Sequence, residues 1–171
     1  MNKILFYLLY LLISFSCQYN QKNNDSPNKI IKGKVIKIAD GDSFTLLTEN
    51  KKQIKIRMYG IDAPERKQAF YQKAKNNLAR YIFKKKVTIQ IKSTDQYQRI
   101  VGVVFLNDTL NINLQMIKDG YAWHYKKYST DQVMAKAEKE AKQNKLGLWK
   151  ENHPLPPWEW RRMKRKLETF N

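Results

Sequence analysis

The chain has 171 residues, with 33 Lys and Arg against 15 Asp and Glu, a formal net charge of +18 at pH 7. An excess of that size points to a polyanionic partner such as nucleic acid, an anionic membrane or an acidic polysaccharide. A hydrophobic content of 42% with 12% aromatics excludes a wholly disordered basic tail, and six Gly and five Pro exclude a collagen-like or linker chain. A single Cys and two His exclude a disulfide framework and a Cys- or His-rich metal cluster.

Met1-Asn2-Lys3 is a short basic start, and Ile4 to Phe15 is almost entirely apolar. That run is shorter than the roughly 20 residues a membrane-spanning helix needs, and has the length of a signal-peptide core. Cys17 follows it in Ser14-Phe15-Ser16-Cys17, which resembles a bacterial lipoprotein signal in which Cys17 becomes the lipidated first residue. Residues 1–16 are therefore expected to be a signal peptide. Residues 17–29, polar and without periodicity, are expected to be a flexible tether to a membrane.

Residues 30–152 are expected to form one domain. Ile31, Val35 and Ile38 among lysines suggest a half-exposed strand, broken by the turn residues Asp40-Gly41-Asp42. Phe44 to Leu47 resumes it, and Ile54, Ile56 and Met58 alternate with Lys55 and Arg57 with a period of two, completing a three-stranded meander. Phe70, Ala74, Leu78 and Ile82 recur at helical spacing on one face. Val87, Ile89 and Ile91 alternate again, and Ile100 to Leu106 reads as a buried strand followed by a hairpin turn at Asn107-Asp108. A short helix fits Asn113 to Asp119. Ser129-Thr130-Asp131-Gln132 reads as a capping box opening a helix through Lys145, with Val133, Ala137 and Ala141 on one face. Residues 153–171, with Pro156, Pro157, Trp158 and Trp160 before a basic run, form a separate C-terminal segment. Five strands and three helices suit an α+β, mainly β architecture: a five-stranded barrel of the oligonucleotide/oligosaccharide-binding (OB) type. Periodicity alone leaves another α+β barrel open.

The chemistry lies in charged residues at strand ends. Asp40, Asp42, Asp62 and Glu65 are acids in an acid-poor chain, and hard oxygen donors of this kind suit a divalent cation. Singly, each reads better as a turn residue or a helix cap, and together they become informative only alongside the arginines. Arg57 lies between Ile56 and Met58, and Arg99 opens an apolar strand. A guanidinium fork matches the oxygens of a phosphate, although an ordinary surface position is the commoner fate of an Arg. Tyr125 and Tyr128, beside lysines, suit stacking on a base or packing against the barrel.

Asp40-Gly41-Asp42-Ser43, then Ile56-Arg57-Met58-Tyr59-Gly60-Ile61-Asp62-Ala63-Pro64-Glu65, then Asp95-Gln96-Tyr97-Gln98-Arg99 resemble, in order and spacing, the active-site motifs of the staphylococcal-nuclease-like (thermonuclease) family. Asp119-Gly120-Tyr121-Ala122, Lys145-Leu146-Gly147-Leu148-Trp149 and Pro157-Trp158-Glu159-Trp160-Arg161 extend the likeness over residues 30–162. The resemblance implies an OB-type barrel and Ca²⁺-dependent cleavage of DNA and RNA. It implies that Asp42, Asp62 and the Ala63 carbonyl ligate the metal while Asp40 supports the loop behind them. Glu65 would orient or deprotonate the attacking water, and Arg57 and Arg99 would grip the phosphate. The expected protein is an exported monomeric nuclease, either lipid-anchored at Cys17 and facing the periplasm or cell exterior, or secreted. A catalytically silent nucleic-acid-binding barrel is the alternative.

Overall fold

The computed structural model describes residues 29–169. The expectations for residues 1–28, the signal peptide, Cys17 and nearly all of the tether, lie outside the described residues.

Strands β1 (Ile30–Ile38), β2 (Ser43–Thr48) and β3 (Gln53–Met58) form the antiparallel meander that alternation predicts. A two-residue strand, β4 (Ile61–Asp62), follows the turn at Gly60, whose φ of +72° suits glycine. Helix α1 (Tyr71–Ile82) leads into β5 (Lys86–Thr94) and β6 (Ile100–Leu106). Asn107 and Asp108 both have positive φ and, with Thr109, form the three-residue hairpin loop between the paired Leu106 and Leu110 that leads into β7 (Leu110–Asn111). Helix α2 (Ile112–Lys118), β8 (Trp123–His124), helix α3 (Gln132–Gln143), a 3₁₀ turn (Gly147–Lys150) and helix α4 (Pro157–Thr169) complete the chain.

The strand order β3-β2-β1-β5-β6 closes on itself because β3 also pairs with β6, in parallel, with Arg57 opposite Val101. The result is a closed five-stranded barrel with helices, the OB-type architecture that the sequence implies. Val35, Leu46, Ile56, Ile89 and Val104, one from each barrel strand, are fully buried and meet Leu78, Ile82, Met116 and Ile117 from the helices. Buried Asn113 fastens the closing seam: its amide donates to the carbonyls of Tyr59 (2.8 Å) and Gly102 (3.3 Å), and its carbonyl accepts from Val104 N (2.9 Å).

Three local expectations are corrected. Among the described residues there are four α-helices, not three. Pro157–Thr169 is helical although only Pro157 is buried: Trp160, Met163 and Leu167 recur at helical spacing, but Met163 and Leu167 are left exposed. Proline fits the first helical position, where its missing N–H is needed by nothing. Helix α3 is capped by Asp131, which accepts from Val133 N (2.7 Å) and Met134 N (3.2 Å), instead of by Ser129. Ala137 and Ala141 are buried as expected, but the inward stripe is completed by Met134 at i−3 from Ala137, while Val133 in the first turn is 59% exposed. Phe70 precedes α1 with φ of +64° instead of starting the helix.

A second apolar cluster joins Trp123, Ala141, Leu148 and Trp149, with Phe70 and Trp158 packed against it. Trp158 meets Trp123 edge-on at 6.5 Å and stacks on Tyr125 at 5.4 Å with 5° between the rings. Such pairs contribute about 0.5–1.5 kcal/mol each beyond area burial. They fix the first turn of α4 to the barrel although the rest of the helix is exposed.

Candidate active site

The closing seam brings the two arginines together. Arg57 on β3 lies opposite Val101 of β6, two residues from Arg99. Side chains two apart on a strand share a face, so both guanidinium groups look into one cleft of about 770 Å³. The same cleft is lined by Asp40, Asp42, Ala63, Glu65, Tyr125, Tyr128 and Arg161.

The acids arrive on three short connections. Asp42 ends the β1–β2 turn, which packs so closely that a Cβ on Gly41 would lie 2.7 Å from Ala63 Cβ. This proximity lets the buried Asp42 carboxylate accept from Ala63 N (2.7 Å) and from Ser43 Oγ (3.0 Å). Asp40 accepts from Asp42 N (3.1 Å), bracing the turn from behind. Asp62, on β4 and 1% exposed, is held opposite Trp123 by the β4–β8 pair. Arg57, with a side chain 15% exposed, pairs with Asp42 and, at 2.8 Å, with Asp62. Arg161 reaches in from α4 to Asp62 Oδ2 (2.8 Å) and Glu65 Oε1 (2.5 Å). Arg99 is set by Asp95, which takes its Nε–H at 2.7 Å and its backbone N–H at 2.9 Å. Tyr125 and Tyr128 form an edge-to-face pair at 4.9 Å on the rim.

Residues 55–151 match the family model described as staphylococcal nuclease homologue. A protein of Haemophilus influenzae named "uncharacterized endonuclease" is 44% identical over 138 residues, covering 81% of this chain and 77% of that one. The chain belongs to the staphylococcal nuclease family. Within it, an Escherichia coli protein also named "uncharacterized endonuclease" is 38% identical over 134 residues, 78% of this chain and 87% of its own. A Shigella flexneri protein named "micrococcal nuclease" is 39% identical over 141 residues, 77% of this chain and 80% of its own.

In this staphylococcal nuclease homologue the electrostatics of the acid cluster are those of crowded like charges. Burial, then the Asp42 carboxylate, pushes Asp40 up to about 8. Asp62 is also raised, by burial first and by Asp42, against the pull of Arg161 and Arg57. Burial opposes the Asp42 charge too, but Arg57 and the hydrogen bond from Ala63 outweigh it and hold Asp42 low. Among the described residues no three or more His, Cys, Asp or Glu side chains form a ready-made cage for a metal. The donor chemistry nonetheless fits a hard cation: when ionised, Asp40, Asp42, Asp62 and Glu65 outnumber the guanidinium groups of Arg57 and Arg161, and every donor is oxygen.

The raised Asp40 makes a pH prediction for the metal-free protein. Between about pH 4 and 8 the folded chain keeps a proton that the unfolded chain has lost, so stability falls as pH rises through that window. Melting temperature measured against pH in chelator should fall over this range, and Asp40→Asn should flatten the slope. Equal slopes for the two proteins would refute the assignment.

Sequence reasoning missed Arg161 as part of this cluster. It lies 99 residues from Asp62 in a stretch read as a basic tail, and the signal available was its place one turn into a helix opened by Pro157. Among the described residues no helix is long and apolar enough to cross a membrane.

Proposed function

We propose that this protein is a Ca²⁺-dependent nuclease that hydrolyses phosphodiester bonds of DNA and RNA with little sequence preference. It acts as an exported monomer, anchored by lipid at Cys17 and facing the periplasm or cell exterior. The observation that carries the reading is the convergence of Arg57 and Arg99 on one cleft with Asp42 and Glu65, while buried Asp62 is paired with Arg57. The relatives named endonuclease and micrococcal nuclease support it.

Arg57 and Arg99 offer paired N–H donors to the non-bridging oxygens of a phosphodiester and stabilise the charge that grows there in the transition state. Asp42, Asp62 and the Ala63 carbonyl would hold Ca²⁺, with Asp40 bracing the turn behind them. The ion, when bound, polarises a phosphoryl oxygen and brings water near phosphorus. Glu65, reaching the cleft from the segment after Pro64, accepts the proton of the attacking water or orients that water. Arg99 lies near enough to the same phosphate to steady the departing oxygen. Tyr128, which is exposed on the rim, offers a ring face to bases, a contact indifferent to sequence, and Tyr125, stacked on Trp158, supports it edge to face. The charge of +18 gathers polyanions from solution, with binding that weakens steeply with salt.

A silent nucleic-acid-binding barrel is the second reading, favoured by one observation: Asp42, Asp62 and Glu65 already have guanidinium partners within the chain. One assay separates the two. With Ca²⁺ the purified protein should shorten both DNA and RNA, and a chelator should stop it. Tight binding with no shortening would establish the silent barrel. In cells, Cys17→Ala should move the protein from the membrane to the soluble fraction, and unchanged fractionation would refute the anchor.

A further inference from the structure

The connection that carries Glu65 has little structure of its own. It leaves β4 at Asp62, passes Pro64 and reaches α1 only at Tyr71. A side chain on such a segment keeps one orientation only if something else holds it. Here the holding comes from the far end of the chain. Gln68 is buried; its Oε1 accepts from Glu65 N (2.9 Å) and its Nε2 donates to the Leu155 carbonyl (2.5 Å). Arg161, six residues on, donates to Glu65 Oε1 (2.5 Å) and, across the same guanidinium, to both Asp62 oxygens (3.2 and 2.8 Å).

The C-terminal segment is itself anchored. Pro157 is buried, and Trp158 is wedged between Trp123 and Tyr125. The Arg161 side chain is 33% exposed, so the ion pairs are partly shielded from water. The contact is also asymmetric. Arg161 ties one oxygen of Glu65, while the other, Oε2, has no hydrogen-bond partner among the described residues. A carboxylate held by one oxygen presents the other in a defined direction, which a freely rotating glutamate does not do.

We infer that Arg161 is a positioning residue for Glu65, and that residues 155–161 form a clamp that completes the active centre from the opposite end of the sequence. The inference rests on the nuclease reading above and adds a residue to it. Arg161 acts through Glu65: it does not take a proton, and the scissile phosphate is gripped elsewhere, by Arg57 and Arg99. Misplacing a reacting group by about 1 Å can lower a rate about 10²-fold.

The test is a cycle of variants assayed on a short oligonucleotide with Ca²⁺. Arg161→Gln should lower kcat by about 10–100-fold with KM nearly unchanged, and Arg161→Lys should recover part of the loss. In a Glu65→Gln background, Arg161→Gln should cost much less than it does in the wild type, because the group it orients no longer acts and only its tie to Asp62 is lost. A loss that appears in KM, or one that adds in full to that of Glu65→Gln, would overturn the inference. Gln68→Ala cuts the second tie without touching Asp62, and should lower kcat in the same sense if Arg161→Gln proves too unstable to assay. A wild-type protein that cleaves beside an unaffected Arg161→Gln sinks the clamp alone. A wild-type protein that does not cleave sinks the nuclease reading. Hydrogen exchange in the metal-free protein then decides the clamp separately: Arg161→Gln should speed exchange at the Glu65 amide and leave Val104 in the barrel untouched. Unchanged exchange at Glu65 would overturn it.

Discussion

Glu65→Gln is expected to slow strand cleavage by about 10²–10⁴-fold, the usual contribution of a positioned acid–base group. The substitution is nearly isosteric, and the amide oxygen can still accept from Arg161 as Oε1 does at 2.5 Å. The Asp62 contacts of Arg161 and the Gln68 contact of the backbone are untouched. What disappears is the second carboxylate oxygen, replaced by an NH₂ that donates and cannot take a proton. The melting temperature should therefore stay within a few degrees of wild type while kcat collapses. Activity above a tenth of wild type would remove Glu65 from the chemistry.

Arg57→Met is expected to show the second large effect, this time on stability as well as rate. Arg57 is the shared counter-ion of Asp42 and Asp62, both almost fully buried. Burial lowers the tendency of Arg57 to stay charged, yet the two carboxylates more than reverse this. Removing one partner of a buried ion pair typically costs about 3–5 kcal/mol, because the charge left behind has no solvent to turn to. For a chain of this size that corresponds to a loss of roughly 10 °C in melting temperature, measured in chelator near pH 7. Adding Ca²⁺ should raise the melting temperature of Arg57→Met more than that of wild type, since the variant has more uncompensated negative charge to neutralise. Cleavage should fall by about 10²–10³-fold, as when one preorganised donor is lost. A variant as stable as wild type in chelator would refute the shared counter-ion.

The barrel was legible because its strands alternate. Ile54, Ile56 and Met58 lie between polar neighbours, and a period of two is a local signal that needs no knowledge of the partner strand. The motif-bearing turns were legible for a related reason: Asp40-Gly41-Asp42 and Gly60 to Glu65 break the alternation where the chain must reverse. Val133 was misplaced because both Val133 and Met134 lie one turn before Ala137, at i−4 and i−3, and spacing alone does not say which of the two the barrel covers. Helix α4 was missed although Trp160, Met163 and Leu167 recur at helical spacing, because the prolines before it and the basic run within it read as an irregular tail, and Met163 and Leu167 stay exposed. Arg161 was harder still. Its partners Asp62 and Glu65 are 99 and 96 positions away, and no local pattern reports a contact across that separation.

The parallel β3–β6 seam has a kinetic corollary. Arg57 and Arg99 become neighbours only when strands more than forty positions apart along the chain zip together, with Asn113 stapling the join. Contacts between distant stretches form late, because a wide loop must be closed before any reward arrives. A chain still emerging from a ribosome has no shared arginine face, and until helix α4 is free it has no Arg161 either. Hydrolytic power should therefore switch on abruptly at the end of folding, leaving the nascent protein harmless to the nucleic acid beside which it is made.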